Sequence, residues 1–270
     1  MIKMFKQKPI IALLTDFGYE DPYVSEMKAV ILSIERNAEI IDISHSIPSY
    51  DIYIGAFILS LVAPYFPRNT IFVAVVDPTV GLKRKPIIIE TKEKIFIGPD
   101  NGLLALAAEK IGIKNVYEIS EKILPKRETE TFHGRDIFSV IAGYLAKGIK
   151  PSKLGVKIDK IVRIQEEKAL IEKNKIIAKV LYIDKFGNII TNITRKDIDR
   201  LYSPNNIYKV ILKKKTIEVP LKNFYSEVPE NSPLLVFGGT GFLEISINLG
   251  NASKTFGINI GDKIEIHSIT

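Results

Sequence analysis

The chain contains no cysteine and no tryptophan, and only three histidines. Without cysteine there is no disulfide, no thiol nucleophile and no thiolate-bound metal. The histidines His45, His133 and His267 stand far apart, so the HxxxH and HExxH spacings of helical metal sites are absent, and metal-dependent hydrolysis is not expected. The GxGxxG, GxxxxGK[ST] and GxSxG patterns are missing as well. That argues against a dinucleotide fingerprint, a P-loop and a nucleophile elbow. No apolar run approaches the length needed to cross a bilayer. The apolar run 10–14 follows basic residues but is too short for a signal segment and is soon followed by Asp16. The expectation is a soluble, cytoplasmic protein with no membrane partner. There is no internal repeat and no low-complexity tract.

What is present is a core-forming composition: 46% of the 270 residues are hydrophobic and 26% are charged. This is too long for one small core and suits two domains. The net charge of +7 comes from lysines scattered along the chain rather than gathered in a patch, so no nucleic-acid partner is expected. Between residues 149 and 175 the composition shifts to Pro151, Gly155 and the mixed-charge stretch QEEKALIEKNK. The expected domain boundary lies there, dividing the chain into 1–165 and 166–270.

In the first part, apolar runs at 9–14, 38–43 and 70–76 alternate with helical spacing at 23–36 and 51–65. Val24, Met27, Ile31 and Ile34 mark one helical face, and Asp21-Pro22 reads as its N-cap and first helical residue. Runs at 86–90 and 94–98, joined by the polar turn TKEK, read as two more strands, with a helix at 103–110, a strand at 115–119 and a helix at 137–146. The predicted fold is an α/β domain with a mainly parallel sheet flanked by helices. In the second part, short alternating runs at 176–183, 188–192, 208–212, 216–219, 234–236, 243–248 and 263–267 predict a smaller all-β, barrel-like domain.

The candidate site residues sit where buried strands meet loops. The uncharged run 71–76 ends at Asp77-Pro78, and Arg84 follows a Pro/Gly-containing loop. In open α/β sheets ligands bind beyond the carboxyl ends of strands. Asp16 and His45 follow the first two strands and are expected at the same crevice, where Asp16 has the chemistry to accept both hydroxyls of a ribose. FHGRDIF at 132–138 supplies His133, with Arg135-Asp136 expected to pair or to cap the next helix. Asp77, Arg84 and His133 admit two readings: a constellation that polarises a water, or a buried ion pair beside a structural histidine. In the second domain, FGN at 186–188 is a turn signal. Asn188 carries the donor and acceptor that match an adenine edge, and Asp184 could hold an ammonium. Tyr225 could stack on a base, and the glycine-rich loop 238–241 either admits a ligand close to the backbone or makes a tight turn.

Taken together, these motifs resemble the S-adenosylmethionine (SAM) hydroxide adenosyltransferases, relatives of fluorinase and chlorinase. The resemblance rests on LLTDFG at 13–18, DPYV at 21–24, VVDPTVG at 75–81, PDNGLL at 99–104, TFHGRDIF at 131–138, DKFGNIITN at 184–192 and LEISINLGNA at 243–252. It implies hydrolysis of SAM to adenosine and L-methionine without metal or cofactor. It also implies a homotrimer, with each site lying between the first domain of one subunit and the second domain of its neighbour. Asp77, Arg84 and His133 would then activate water. Asp16 would bind the ribose diol, Asp21 and Asp184 the amino-acid end, and Asn188, Tyr225 and the backbone near Ala252 the adenine. The halogenase branch has Tyr in place of Asp77 and hydroxyl groups where Val80 and Gly134 stand here, so the pattern favours water over halide. Thr240 departs from the family, standing where halogenase relatives carry Arg. The alternatives are halide-dependent adenosyl transfer and a non-catalytic module that binds adenosine or SAM.

Overall fold

The computed structural model describes residues 8–127, 129–213 and 215–269. The chain divides into two units, residues 1–165 and 166–270.

The first unit runs β1 (Ile10–Thr15), α1 (Tyr23–Ile34), β2 (Glu39–Ser44), α2 (Ile52–Val62), β3 (Ile71–Val75), β4 (Pro86–Thr91), β5 (Ile95–Pro99), α3 (Ala105–Ile111) and β6 (Ile113–Ile119). A π-helical turn, Gly134–Ser139, then leads into α4 (Val140–Ala146), α5 (Pro151–Leu154) and β7 (Gly155–Ile158). The seven strands form one sheet in the order β2-β1-β3-β5-β4-β6-β7. Strands β2, β1, β3 and β5 are parallel, whereas β4, β6 and β7 join through antiparallel pairings. Five of the seven strands run the same way, so the sheet is mostly parallel as expected, but β4 and β7 oppose them and make it mixed. The cause lies in the TKEK turn. A connection that short can only reverse the chain, because a parallel return needs a crossover of a dozen or more residues.

β3 has no polar residue and is buried along its whole length. It is covered on both faces, as a continuous apolar run requires. Ile11, Leu13, Val73 and Val75 share one cluster with Met27 and Ile31 of α1 and Ile141 of α4. On the other face α2 approaches so closely that a Cβ at Gly55 would fall 2.8 Å from Leu103 Cδ1, with Val76 and Leu14 next nearest. Phe72 and Phe96 stack at 4.9 Å between ring centres. Helix α1 starts one residue later than its sequence suggests. Pro22 occupies the cap position without a side-chain hydrogen bond, and Asp21 is exposed. Asp51, by contrast, caps α2 by accepting from the Ile54 amide at 2.9 Å.

The second unit contains β8 (Leu170–Ile171), β9 (Lys175–Ile183), β10 (Ile189–Thr194), α6 (Arg195–Ile198), β11 (Ile207–Leu212), β12 (Lys215–Lys222), β13 (Pro233–Phe237), β14 (Phe242–Ile247), α7 (Ala252–Phe256) and β15 (Lys263–Ser268). Pairing runs β10-β14-β13-β12-β11-β15-β9, and a β9–β10 pairing closes the ring into a seven-stranded barrel. Alternate residues of β9, Ile176, Ala178 and Val180, point into the interior with Val210, Val219, Leu243, Ile245 and Ile266. Closure removes the exposed strand edges that so short a sheet would otherwise present.

Leu13 is fully buried between β2 and β3. Leu13→Ala should lower unfolding stability by about 2–5 kcal/mol through lost burial and the cavity left behind. Denaturant titration measures this directly, and a change under 1 kcal/mol would contradict the packing described.

Candidate active site

The carboxyl end of β3 delivers Asp77 into a pocket floor where its side chain is only 4% exposed. The loop 78–83 folds back and brings Arg84, 7% exposed, against it. Arg84 donates to Asp77 Oδ2 from Nε at 2.8 Å and again from Nη2. The same Nη2 lies 2.6 Å from His133 Nδ1. A guanidinium keeps its protons at any ordinary pH, so it must be the donor and Nδ1 the acceptor. The histidine proton therefore sits on Nε2. Burial, the Arg84 charge and Arg127 together hold the His133 pKa below its usual value, so the ring is neutral. Among the described residues Arg84 Nη1 and His133 Nε2 are buried without a hydrogen-bond partner. Among the described residues Asp77 Oδ1 accepts only the Thr79 hydroxyl, at 3.3 Å.

Asp77 and His133 open on a cavity of about 250 Å³ whose other walls include Val75, Val80, Gly134, Phe17, Tyr23 and Phe132. The three aromatic rings meet edge to face, with centres 5.2–5.8 Å apart. Arg135 lies 5.1 Å over Phe132 while its guanidinium pairs with Asp136 and Glu26. The pairing expected of Arg135 and Asp136 thus buttresses the aromatic wall.

Asp16 follows β1 and accepts from the Tyr50 amide at 2.9 Å. Tyr50 is largely exposed and sits at φ +68°, a conformation that non-glycine residues seldom adopt. No local sequence signal marks Tyr50 for this role. The expectation that His45 opens on the crevice is not met. His45 is 1% exposed, with Nδ1 2.8 Å from Thr15 Oγ1 and Nε2 3.2 Å from Asp42 Oδ1. Its backbone carbonyl accepts from the Gly18 amide at 2.8 Å. It braces the loop that carries Asp16 from inside, because an imidazole in that packed position can bond Thr15 and lie beside Asp42 only by turning away from solvent. Asp21 stands exposed beside this loop.

In the second unit Asp184 organises the FGN turn. Its Oδ1 accepts from the amides of Phe186 and Asn188, and its Oδ2 from Asn188 Nδ2, each at 2.9 Å. With Nδ2 turned toward Asp184, Asn188 is left with Oδ1 and one further N–H. Gly187, at φ +88°, closes the turn, and a Cβ there would lie 2.1 Å from Asn251 Cγ. Asn251 caps α7 on the Lys254 amide, so Ala252, fully buried, is held directly behind the turn. Asp184, Phe186, Asn188 and Tyr225 line a cavity of about 690 Å³ together with residues 247–251. Ala252 itself does not line it. Tyr225 donates to Glu244 Oε2 at 2.9 Å. The 238–241 loop makes a tight turn, one of its two expected readings, with the Gly241 amide donating to the Gly238 carbonyl at 3.0 Å, and its start packs closely on a side chain. A Cβ on Gly238 would fall 1.9 Å from Glu244 Oε1. Among the described residues no group of three or more His, Cys, Asp or Glu is placed to hold a metal ion. No helix among them is long and apolar enough to cross a membrane.

Two buried histidines carry a consequence for stability. Burial holds His45 and His133 below the ordinary histidine pKa. As pH falls through about 6.5 the unfolded chain takes up protons that the folded chain refuses. Each histidine should therefore make stability fall on acidification below about pH 6.5, by up to about 1.4 kcal/mol per pH unit. Urea midpoints at pH 7.5 and 5.5 measure the slope, which should flatten in His45→Gln. An unchanged slope would show that His45 titrates normally.

The chain is similar to the proteins of one family. The SAM hydroxide adenosyltransferase N-terminal domain matches residues 11–155, and the C-terminal domain of that family matches 178–265. An (R)-S-adenosyl-L-methionine hydrolase of Methanocaldococcus jannaschii is 40% identical over 266 residues, covering 95% of each chain. A fluorinase of Nocardia brasiliensis is 25% identical, covering 96% of this chain and 97% of its own. The crystal structure of an uncharacterized conserved protein from Thermotoga maritima superposes with a TM-score of 0.90 at 34% identity, over 95% of this chain and 99% of that one. The protein belongs to the SAM hydroxide adenosyltransferase family.

Proposed function

We propose that the protein hydrolyses SAM to adenosine and L-methionine, and that, as the name of its 40%-identical relative indicates, the form taken is the (R)-sulfonium epimer. The observation that carries the reading is the Asp77–Arg84–His133 chain, lodged at the end of a buried strand against an aromatic-walled cavity.

Water oxygen attacks ribose C5′ as the C5′–S bond breaks. The bonding pair leaves on sulfur, so methionine departs as a neutral thioether and one proton is released. Arg84 occupies Asp77 Oδ2 twice, which leaves Oδ1 to accept the water's proton. His133 cannot take that proton at Nδ1 without losing Arg84, so it acts through its Nε2–H and by fixing the guanidinium. A hydroxide-like nucleophile meeting a sulfonium cancels charge, and such a reaction gains from a site with little water. The rings of Phe17, Tyr23 and Phe132 supply that environment. Because the sulfonium is already a good leaving group, the step calls for neither metal nor cofactor.

In the same reading Asp16, with one oxygen held by Tyr50, binds the ribose diol, and Asp21 and Asp184 face the amino-acid end. Asn188, oriented by Asp184, offers Oδ1 to the adenine amine and its free N–H to the ring nitrogen beside it, the pairing that suits Asn and adenine. Tyr225 and the backbone before Ala252 complete the base site. A homotrimer with sites shared between subunits, in a cytoplasmic setting, belongs to the same proposal.

Chromatography after incubation with SAM in halide-free buffer should give adenosine and methionine in equal amounts, with the (R) epimer consumed faster. Asp77→Asn should lower kcat by roughly 10²- to 10⁴-fold, the range of a lost general base. Formation of 5′-chloro-5′-deoxyadenosine in chloride would replace the hydrolase reading with halide transfer. Binding without turnover, alike in both proteins, would leave a binding module.

A further inference from the structure

Glu244 has no part in the mechanism above, yet it is among the most constrained side chains of the barrel. It lies in β14 between Leu243 and Ile245, both in the barrel core, and points to the opposite face. That face is not open either: the residue is 4% exposed. Val236 is its cross-strand neighbour and packs with Val228 and Leu234, and Gly238 lies against the carboxylate. Its Oε2 accepts the Tyr225 hydroxyl. Among the described residues no lysine, arginine or histidine pairs with it, and the charged group that bears on it is Asp184, a like charge. Burial and Asp184 both push its pKa up, and the Tyr225 hydrogen bond opposes them. A buried carboxylate without a cation is costly to keep. Replacing it by an apolar residue would remove that cost, so packing alone does not account for it.

Tyr225 and Asp184, the two groups that bear on Glu244, line the 690 Å³ cavity. We propose that Glu244 is a specificity-determining residue: a buried anion behind the cavity wall that favours a cationic ligand over a neutral one of the same shape. The inference rests on the SAM reading and sharpens it. SAM carries a sulfonium charge that S-adenosylhomocysteine, otherwise the same molecule less one methyl, lacks. The anion also favours exchange after reaction, because both products have lost the sulfonium.

The test compares KM for SAM with the competitive Ki for S-adenosylhomocysteine in wild type, Glu244→Gln and Tyr225→Phe. Glu244→Gln keeps a hydrogen-bond acceptor for Tyr225 and removes the charge. It should raise KM for SAM by roughly three- to thirty-fold, the range of one charge acting across a partly screened interior, and leave the Ki nearly unchanged. Tyr225→Phe keeps the charge and removes the tether, and should weaken both ligands alike. Equal weakening of both ligands in Glu244→Gln, or weakening of neither, would overturn the inference. So would a wild type that holds both ligands equally, a result that needs no variant. Matched near-ultraviolet circular dichroism establishes that the variants are folded. Absence of SAM turnover and binding in wild type would instead overturn the functional reading beneath.

Discussion

The first unit depends on a cation that cannot be discharged. Arg84 is buried between an acid and an imidazole, and its permanent charge dictates the state of both neighbours. It engages one oxygen of Asp77, while the other accepts the Thr79 hydroxyl. It takes the lone pair of His133 Nδ1 and so decides the tautomer. Buried ion pairs contribute little net stability against apolar replacements of the same volume, because desolvation cancels most of the attraction, yet removing one partner is costly. In the proposed reaction such a cluster serves as a preorganised electrostatic device, whose members need not reorient.

The fold exists around that device in a definite way. Parallel strands β1 and β3 end side by side, so the loops carrying Asp16 and Asp77 leave the same edge of the sheet. The half of the sheet that begins at the β4–β5 hairpin makes the platform broader. Arg84 sits on the segment that enters this half, between β3 and β4. The barrel does the same work by closure. A seven-stranded ring has no free edge to fray, and the FGN turn between β9 and β10 is held against α7 by the Gly187–Asn251 contact and the Ser253 amide.

The second unit twice uses a carboxylate to orient a neutral neighbour. Asp184 orients Asn188, and Glu244 holds Tyr225. Asp184 shares the cavity wall with Asn188, whereas Glu244 stands behind Tyr225. At Tyr225 the polar face is therefore decided one layer back, where burial makes electrostatic effects larger than they would be at a wet surface.

Much of this was legible in the sequence, for a physical reason. Apolar runs and their periods report burial directly, so the strands of both units and the main helices stand out. Asp77, Arg84, His133, Asp184 and Asn188 were recognisable because charged or turn-forming residues interrupted those runs. Other features depended on contacts between residues far apart. The sequence did not say that His45 turns inward to Thr15 and Asp42, that Gly238 makes room for Glu244, or that Tyr50 adopts a left-handed conformation beside Asp16. It did not reveal β7, whose pairing with β6 extends a sheet already formed. Local chemistry thus determined the elements, the reversal of the chain at TKEK and the candidate site residues. Tertiary packing decided the closure of the barrel and the protonation of His133, because both are set by neighbours that chain order does not place together.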